Sequence, residues 1–359
     1  MTPLQAELAR IDRYDVRKGG LAAFARLAWE HVDPAPLRWS WHHTVICDRL
    51  ERVTSGEIRK LLIVVPPGTT KTILCSIMWP CWRWIEDPSD KLISVSYGDI
   101  VLDAARAHRD LFTGGWFQSR WPGATIPYQN TRAASLFKTT ARGFRFSTSV
   151  GGPMTGRHGG TLLGDDLNKA QDAMGTAAYS MSALDASWQT WATVMPTRQV
   201  DPATTARVLI AQRLHPKDVP GRWIDSDPSV EVLCLPMRYS ATHPHCCPPT
   251  VGAPGDDDYR PGDDRQPGEL LWPEHYPEDT VTALEEVLGP AHAASQLGQL
   301  PAPEGSGPRG WRGIPARPIP DVPQAAAALG GPAHAVLGPS HRRRARLLVR
   351  GGAGVGAVR

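Results

Sequence analysis

Near the amino end apolar Val45, Ile46, Leu50 and Val53 recur at helical spacing within 43–53, and 4–13 and 21–29 look helical as well. Helices are therefore predicted over these segments. The pattern then changes. Leu61-Leu62-Ile63-Val64-Val65 is apolar without interruption and stops at Pro66-Pro67-Gly68, as a strand buried on both faces of a parallel sheet does. Helical spacing resumes over 72–85 through Ile73, Leu74, Ile77 and Met78. Pro80 is expected to kink that helix, because its ring removes a backbone N–H. Short apolar runs follow at 92–95, 144–146, 161–163, 208–211 and 232–235, with helical stretches at 100–111, 179–194 and 277–288. Strands alternating with helices predict an α/β fold over about 55–240, three layers deep with a mainly parallel central sheet, behind a helical N-terminal region.

The chemistry lies where the first strand becomes a helix. Pro67, Gly68, Thr69, Thr70, Lys71 and Thr72 occupy that turn, and free N–H groups at a helix start hold polyphosphate. In such a loop Lys71 reaches the β- and γ-phosphates and Thr72 gives its hydroxyl to Mg²⁺. Thr70 stands where the usual Walker A pattern has Gly before the lysine. A β-branched residue resists the backbone geometry that Gly permits there, at a cost of about 1–3 kcal/mol. The run Thr161-Leu162-Leu163-Gly164-Asp165-Asp166 supplies paired carboxylates at a strand end. In phosphate-loop ATPases the first acid holds the Mg²⁺ shell and the second polarises the attacking water. If the strand continued, the two side chains would point to opposite faces. Together these motifs predict a phosphate-loop NTPase of the ASCE/RecA-like kind with ATP and Mg²⁺ as cofactors. Thr72 and Asp165 are then the metal residues and Asp166 the activator of water. Arg157, in a Gly-rich loop, is a candidate γ-phosphate contact or arginine finger, and Gln212 a candidate γ-phosphate sensor.

Composition changes this picture mainly at the carboxyl end. The chain has 359 residues, of which 41% are hydrophobic and 21% charged, enough for a packed core and roughly two domains. The net charge of +3 hides a split: nine Arg and a single acid fall in 306–359, leaving 30 basic against 35 acidic residues elsewhere. With the body mildly acidic, the overall charge is no argument for nucleic-acid binding. Residues 306–359 are mostly Gly, Ala, Arg and Pro and hold no lasting period. They are expected to be a disordered tail. A basic arm carrying His341-Arg342-Arg343-Arg344-Ala345-Arg346 and a frame-shift product of GC-rich coding DNA remain as further readings. No apolar run reaches the roughly 18 residues of a membrane span, and the first residues lack a signal-peptide layout. Six irregularly spaced Cys do not make a disulfide framework, so a cytoplasmic protein is expected. His243-Pro244-His245-Cys246-Cys247 does not match zinc spacing, the acids at 256–258 and 263–264 read as solvated loops, and Trp79, Trp82 and Trp84 read as packing.

Several further segments resemble one family. They are Trp39-Ser40-Trp41-His42, Glu57-Ile58-Arg59-Lys60-Leu61, Ser94-Val95-Ser96-Tyr97, Gly151-Gly152-Pro153-Met154-Thr155-Gly156-Arg157, Gln212-Arg213-Leu214-His215-Pro216-Lys217-Asp218, Cys234-Leu235-Pro236-Met237, Pro267-Gly268-Glu269-Leu270-Leu271-Trp272-Pro273 and Ser295-Gln296-Leu297-Gly298-Gln299-Leu300-Pro301. With the two nucleotide motifs, they make 37–305 similar to the ATPase part of the large terminase subunit of tailed bacteriophages and prophages. The resemblance implies an ATP-driven motor that packages double-stranded DNA into procapsids in the bacterial host cytoplasm. It also implies a homo-oligomeric ring, with a portal protein and a small terminase subunit as partners and no membrane. It places Trp41 and His42 near the adenine. The family's C-terminal nuclease gathers acids around two metals, and 306–359 holds one acid, so the expectation is an ATPase portion without that nuclease. The implied organisation is a helical region at 1–55, an ATPase core at 56–240, a linking region at 241–305 and the tail at 306–359. A helicase-type ATPase and a non-catalytic prophage remnant remain as alternatives.

Overall fold

The computed structural model describes residues 2–123, 125–126, 134–154, 156–169 and 181–301. The tail at 306–359, with its three readings, lies outside the described residues.

Two helices lead in, α1 (Pro3–Ala28) and α2 (Trp41–Ser55). The first is capped by Thr2, whose hydroxyl accepts the Gln5 N–H at 3.2 Å, and it breaks at Gly20. Seven strands follow: β1 (Lys60–Val64), β2 (Lys91–Ser96), β3 (Leu136–Lys138), β4 (Phe144–Ser149), β5 (Thr161–Asp165), β6 (Ala206–Ala211) and β7 (Glu231–Cys234). Their order across the sheet is β3-β4-β2-β5-β6-β1-β7. Every pairing is parallel except that of β3 with β4. The remaining helices are α3 (Trp79–Glu86), α4 (Ile100–Thr113), α5 (Gly115–Arg120), α6 (Met181–Gln189), α7 (Val219–Ser226) and α8 (Glu278–His292).

The uninterrupted apolar run of β1 is explained by its place. Leu61 and Ile63 join one core with Ile46, Leu50, Leu74, Trp79 and Phe112, while Leu62 and Val64 join another with Trp191, Val219 and Trp223. Alternate side chains therefore feed the helices on opposite faces of the sheet, and the fold is three-layered as the sequence predicts. Full burial of each such side chain contributes roughly 1.5–3 kcal/mol, which anchors the strand end that leads into the 66–72 loop. Trp79 and Trp84 are core residues, as their crowding suggests.

The segment 72–85 is a helix of two windings. Ile73–Met78 turns with π-helical spacing and passes into α3, whose first turn holds Pro80. The expected kink is thus a change of pitch, one of the usual ways a helix absorbs a missing N–H. Elements β3, α5 and α7 were not legible in the pattern, being three to eight residues long. Among the described residues, no helix is long and apolar enough to cross a membrane.

Candidate functional site

The sheet order places a topological switch point at its carboxyl edge. From β1 the chain crosses on the α3 face to β2, and from β6 it crosses on the α7 face to β7. Neighbouring strands whose connections leave in opposite directions open a cleft between their ends, where ligands of open α/β sheets bind. The 66–72 loop leaves β1 on one side of this cleft. The acids leave β5, which is separated from β1 only by β6, a span of about 10 Å at two strand spacings.

The loop bends back through two left-handed residues, Gly68 (φ 74°) and Thr70 (φ 60°). Its internal hydrogen bonds are local. Thr69 Oγ1 donates to the Pro66 carbonyl at 2.7 Å, and Thr70 Oγ1 to the Thr69 carbonyl at 2.7 Å. The Leu74 N–H then donates to the Thr70 carbonyl at 3.1 Å, which starts the helix. Thr70 thus holds a φ that a β-branched residue rarely adopts, so the backbone is strained there.

Both acids converge on this loop. Asp165 lies within β5 and is buried: Thr72 Oγ1 donates to its Oδ1 at 3.3 Å and Ser76 Oγ to its Oδ2 at 2.6 Å. Asp166 turns out of the strand with φ 43°. Its Oδ2 lies 3.1 Å from Lys71 Nζ, and its Oδ1 accepts the Gln212 N–H at 3.1 Å. The condition for opposite faces, a strand that continues past Asp165, is therefore not met. The strand ends at Asp165, and the left-handed residue after it swings the second carboxylate back toward the loop.

Charge in the cleft is nearly dry. Burial alone would lower the Lys71 pKa, but the carboxylates of Asp166 and Asp165 outweigh it and the ammonium is held charged above its ordinary range. Burial, reinforced by the Asp166 charge, pushes Asp165 up to about 6, against the hydrogen bonds from Ser76 and Thr72 and the charge of Lys71. A buried carboxylate facing hydroxyls is short of positive charge. Two hard oxygen donors, the Thr72 hydroxyl and the Asp165 carboxylate, lie side by side, which fits Mg²⁺ rather than a soft metal.

The other sequence-derived candidates are distributed around this centre. Gln212 follows β6 and touches Asp166 through its backbone, while its buried Oε1 has no partner among the described residues. Arg157 is half-buried with its guanidinium 4.6 Å over the Phe146 ring. No described hydrogen bond or ion pair joins it to Lys71, Asp165 or Asp166. Trp41 opens α2 with Arg265 stacked 5.2 Å above it. His42 is completely buried, 3.9 Å from His43 and 5.2 Å from Trp272 between ring centres. Burial, then the charges of His43 and Arg265, drives its pKa well below the ordinary value, opposed by the main chain of Thr69. His42 is therefore a neutral ring, and neither of its ring nitrogens has a hydrogen-bond partner among the described residues. Among the described residues, no cluster of three or more His, Cys, Asp or Glu could hold a metal ion, which includes the 243–247 segment.

Three participants escaped the sequence reading. Ser76 stands one turn beyond Thr72, and that spacing was a usable signal. Arg145 and Tyr276 carried none. Tyr276 is half-buried, and its hydroxyl occupies the space a side chain at Gly68 would need.

No protein-family model matches the chain, and no curated protein does. Among solved structures, the chain is similar to the large terminase of bacteriophage HK97, at 13% identity over 62% of this chain and 44% of that one, with a TM-score of 0.39. It is also similar to the large terminase of a thermophilic bacteriophage in complex with ADP, at 10% identity over 70% of this chain and 52% of that one, with a TM-score of 0.39. The chain spans about half the length of these structures.

Proposed function

We propose that the chain is a terminase-like ATPase, which binds ATP with Mg²⁺ between the 66–72 loop and the acidic pair and couples hydrolysis to movement of double-stranded DNA. The observation that carries the nucleotide part is the convergence of Lys71 on Asp166 and of Thr72 on Asp165 across the end of β6. The DNA-packaging part rests on the resemblance of the sequence segments, as do the ring, the portal protein and the small terminase subunit.

The loop N–H groups and Lys71 would hold the polyphosphate, and Thr72 and Asp165 would hold Mg²⁺. Mg²⁺ there would neutralise charge on the phosphate oxygens. Lys71 is now paired with Asp166, so an arriving phosphate takes the ammonium over and releases that carboxylate. Asp166, still tied to the Gln212 N–H, is then free to orient a water. Gln212 thereby connects the acid to β6 and serves as the proposed γ-phosphate sensor. Arg157, four residues before β5 and stacked on Phe146, is the proposed arginine for a neighbouring subunit's site. Trp41 and His42 are the residues that the resemblance would place near the adenine, with Arg265 stacked on Trp41.

A second reading, a site that binds nucleotide without turning it over, is favoured by Thr70 at φ 60°. Steady-state ATP hydrolysis of wild type, Thr70→Gly and Lys71→Ala separates the two. The motor reading expects activity that rises several-fold in Thr70→Gly and vanishes in Lys71→Ala. Equal background rates in all three would leave only the non-catalytic reading.

A further inference from the structure

Arg145 lies in the middle of β4 with none of its surface exposed. A guanidinium taken out of water costs several kcal/mol unless a carboxylate or equivalent acceptors receive it. No carboxylate pairs with it among the described residues. Its Nη1 donates to the Ser76 carbonyl at 2.6 Å and contacts His108 Nδ1 at 3.2 Å, its Nε donates to Ser147 Oγ at 3.2 Å, and its Nη2 has no partner. Because a guanidinium can only donate, His108 Nδ1 must accept and the ring is neutral. Burial pushes Arg145 down to about 9, and the opposing charge is that of Asp165. Around it lie Trp84, Phe112 and Phe137, which gather on His108. That setting would accept an apolar side chain at far less cost.

The Ser76 carbonyl explains what the cation is for. In an α-helix it would accept the N–H four residues on, but that residue is Pro80, which has none. Winding is π-helical across Ile73–Met78, and Arg145 meets the carbonyl left without that donor. The same Ser76 gives its hydroxyl to Asp165 Oδ2, while Thr72 from the preceding turn takes Oδ1. Arg145 thus pins the backbone of the residue that sets the rotation of the Asp165 carboxylate.

We infer that Arg145 is a positioning residue for the Mg²⁺ end of the nucleotide site, acting through Ser76 to orient Asp165 toward Thr72. This rests on the proposed nucleotide reading. It leaves the phosphate grip of Lys71 untouched, so its signature is a split between metal-dependent and metal-free binding.

The test measures binding of a fluorescent ADP analogue by the full chain, in EDTA and across a Mg²⁺ titration, for wild type, Arg145→Met, Arg145→Lys and Ser76→Ala. The expected result is a roughly tenfold or greater rise in the Mg²⁺ needed for half-maximal binding in Arg145→Met and Ser76→Ala, metal-free affinity within twofold, and substantial recovery in Arg145→Lys. Ser76→Ala removes one hydroxyl and carries the test should Arg145→Met not fold. An unchanged Mg²⁺ requirement, or equal loss with and without metal, overturns the proposal. A urea-denaturation cycle of Arg145→Met with Asp165→Asn reads the same link without nucleotide. Coupled residues give non-additive midpoint shifts, whereas additive shifts reject the link. If wild type binds no nucleotide, the functional reading falls while this cycle still decides the role of Arg145.

Discussion

Thr70 and Asp165 are residues of the candidate site held at a cost in stability. Thr70 keeps a left-handed φ that suits Gly, and Asp165 keeps a carboxyl where water barely reaches it. The second feature has a pH signature. Asp165 has a folded-state pKa raised from its ordinary 3.8 to about 6, first by burial and then by Asp166. A raised pKa means the group stabilises the fold below about pH 4 and that this contribution is lost as pH climbs through about 6. Asp165→Asn removes the buried charge. The expected outcome in thermal melts is a variant that gains on wild type between pH 4 and pH 6 and stays more stable at pH 7, by on the order of 2 kcal/mol. A variant that is less stable at pH 7 and equal at pH 4 would reverse the sign and contradict the assignment.

Elements differ in how plainly the chain announces them. Strands β1, β5 and β6 could be read directly because each is an apolar run buried on both faces. The loop and the acids could be read because their residue types carry chemistry at a strand end. Arg145 could not be. Between Phe144 and Phe146 it looks like the outward residue of an alternating strand, yet helices cover that face too and it is fully buried. The convergence of Asp166 was equally hidden, since one left-handed residue decides it. Tyr276 was hidden because its contact joins two stretches far apart in the chain. That contact is testable between elements: Gly68→Ala sets a methyl group against the Tyr276 hydroxyl at a residue with φ 74°. In a denaturation cycle, Tyr276→Ala should restore part of the stability lost in Gly68→Ala, with a coupling of about 1 kcal/mol. The remainder is backbone strain, which no neighbour relieves. Strict additivity would separate the 272–276 segment from the phosphate loop.

At the scale of the whole molecule, the sheet order matters more than any single contact. Placing β6 between β1 and β5 puts one strand between the phosphate grip and the acids. Under the proposed ATPase reading, loss of a γ-phosphate would move Asp166 and Gln212 together, since the Gln212 N–H is bonded to Asp166 at the end of β6. The helical layers and the buried double-faced strands were legible from period alone, whereas the strand order was not, because period fixes faces and not neighbours. The most direct measurement of the central claim is equilibrium binding of ADP with Mg²⁺ to the full chain, by calorimetry, for wild type and Lys71→Ala. A single polyphosphate site shared by the loop and the acidic pair predicts one ADP per chain in the wild type and at least a tenfold loss in Lys71→Ala. No binding to the wild type, or equal affinity in the two proteins, would contradict it.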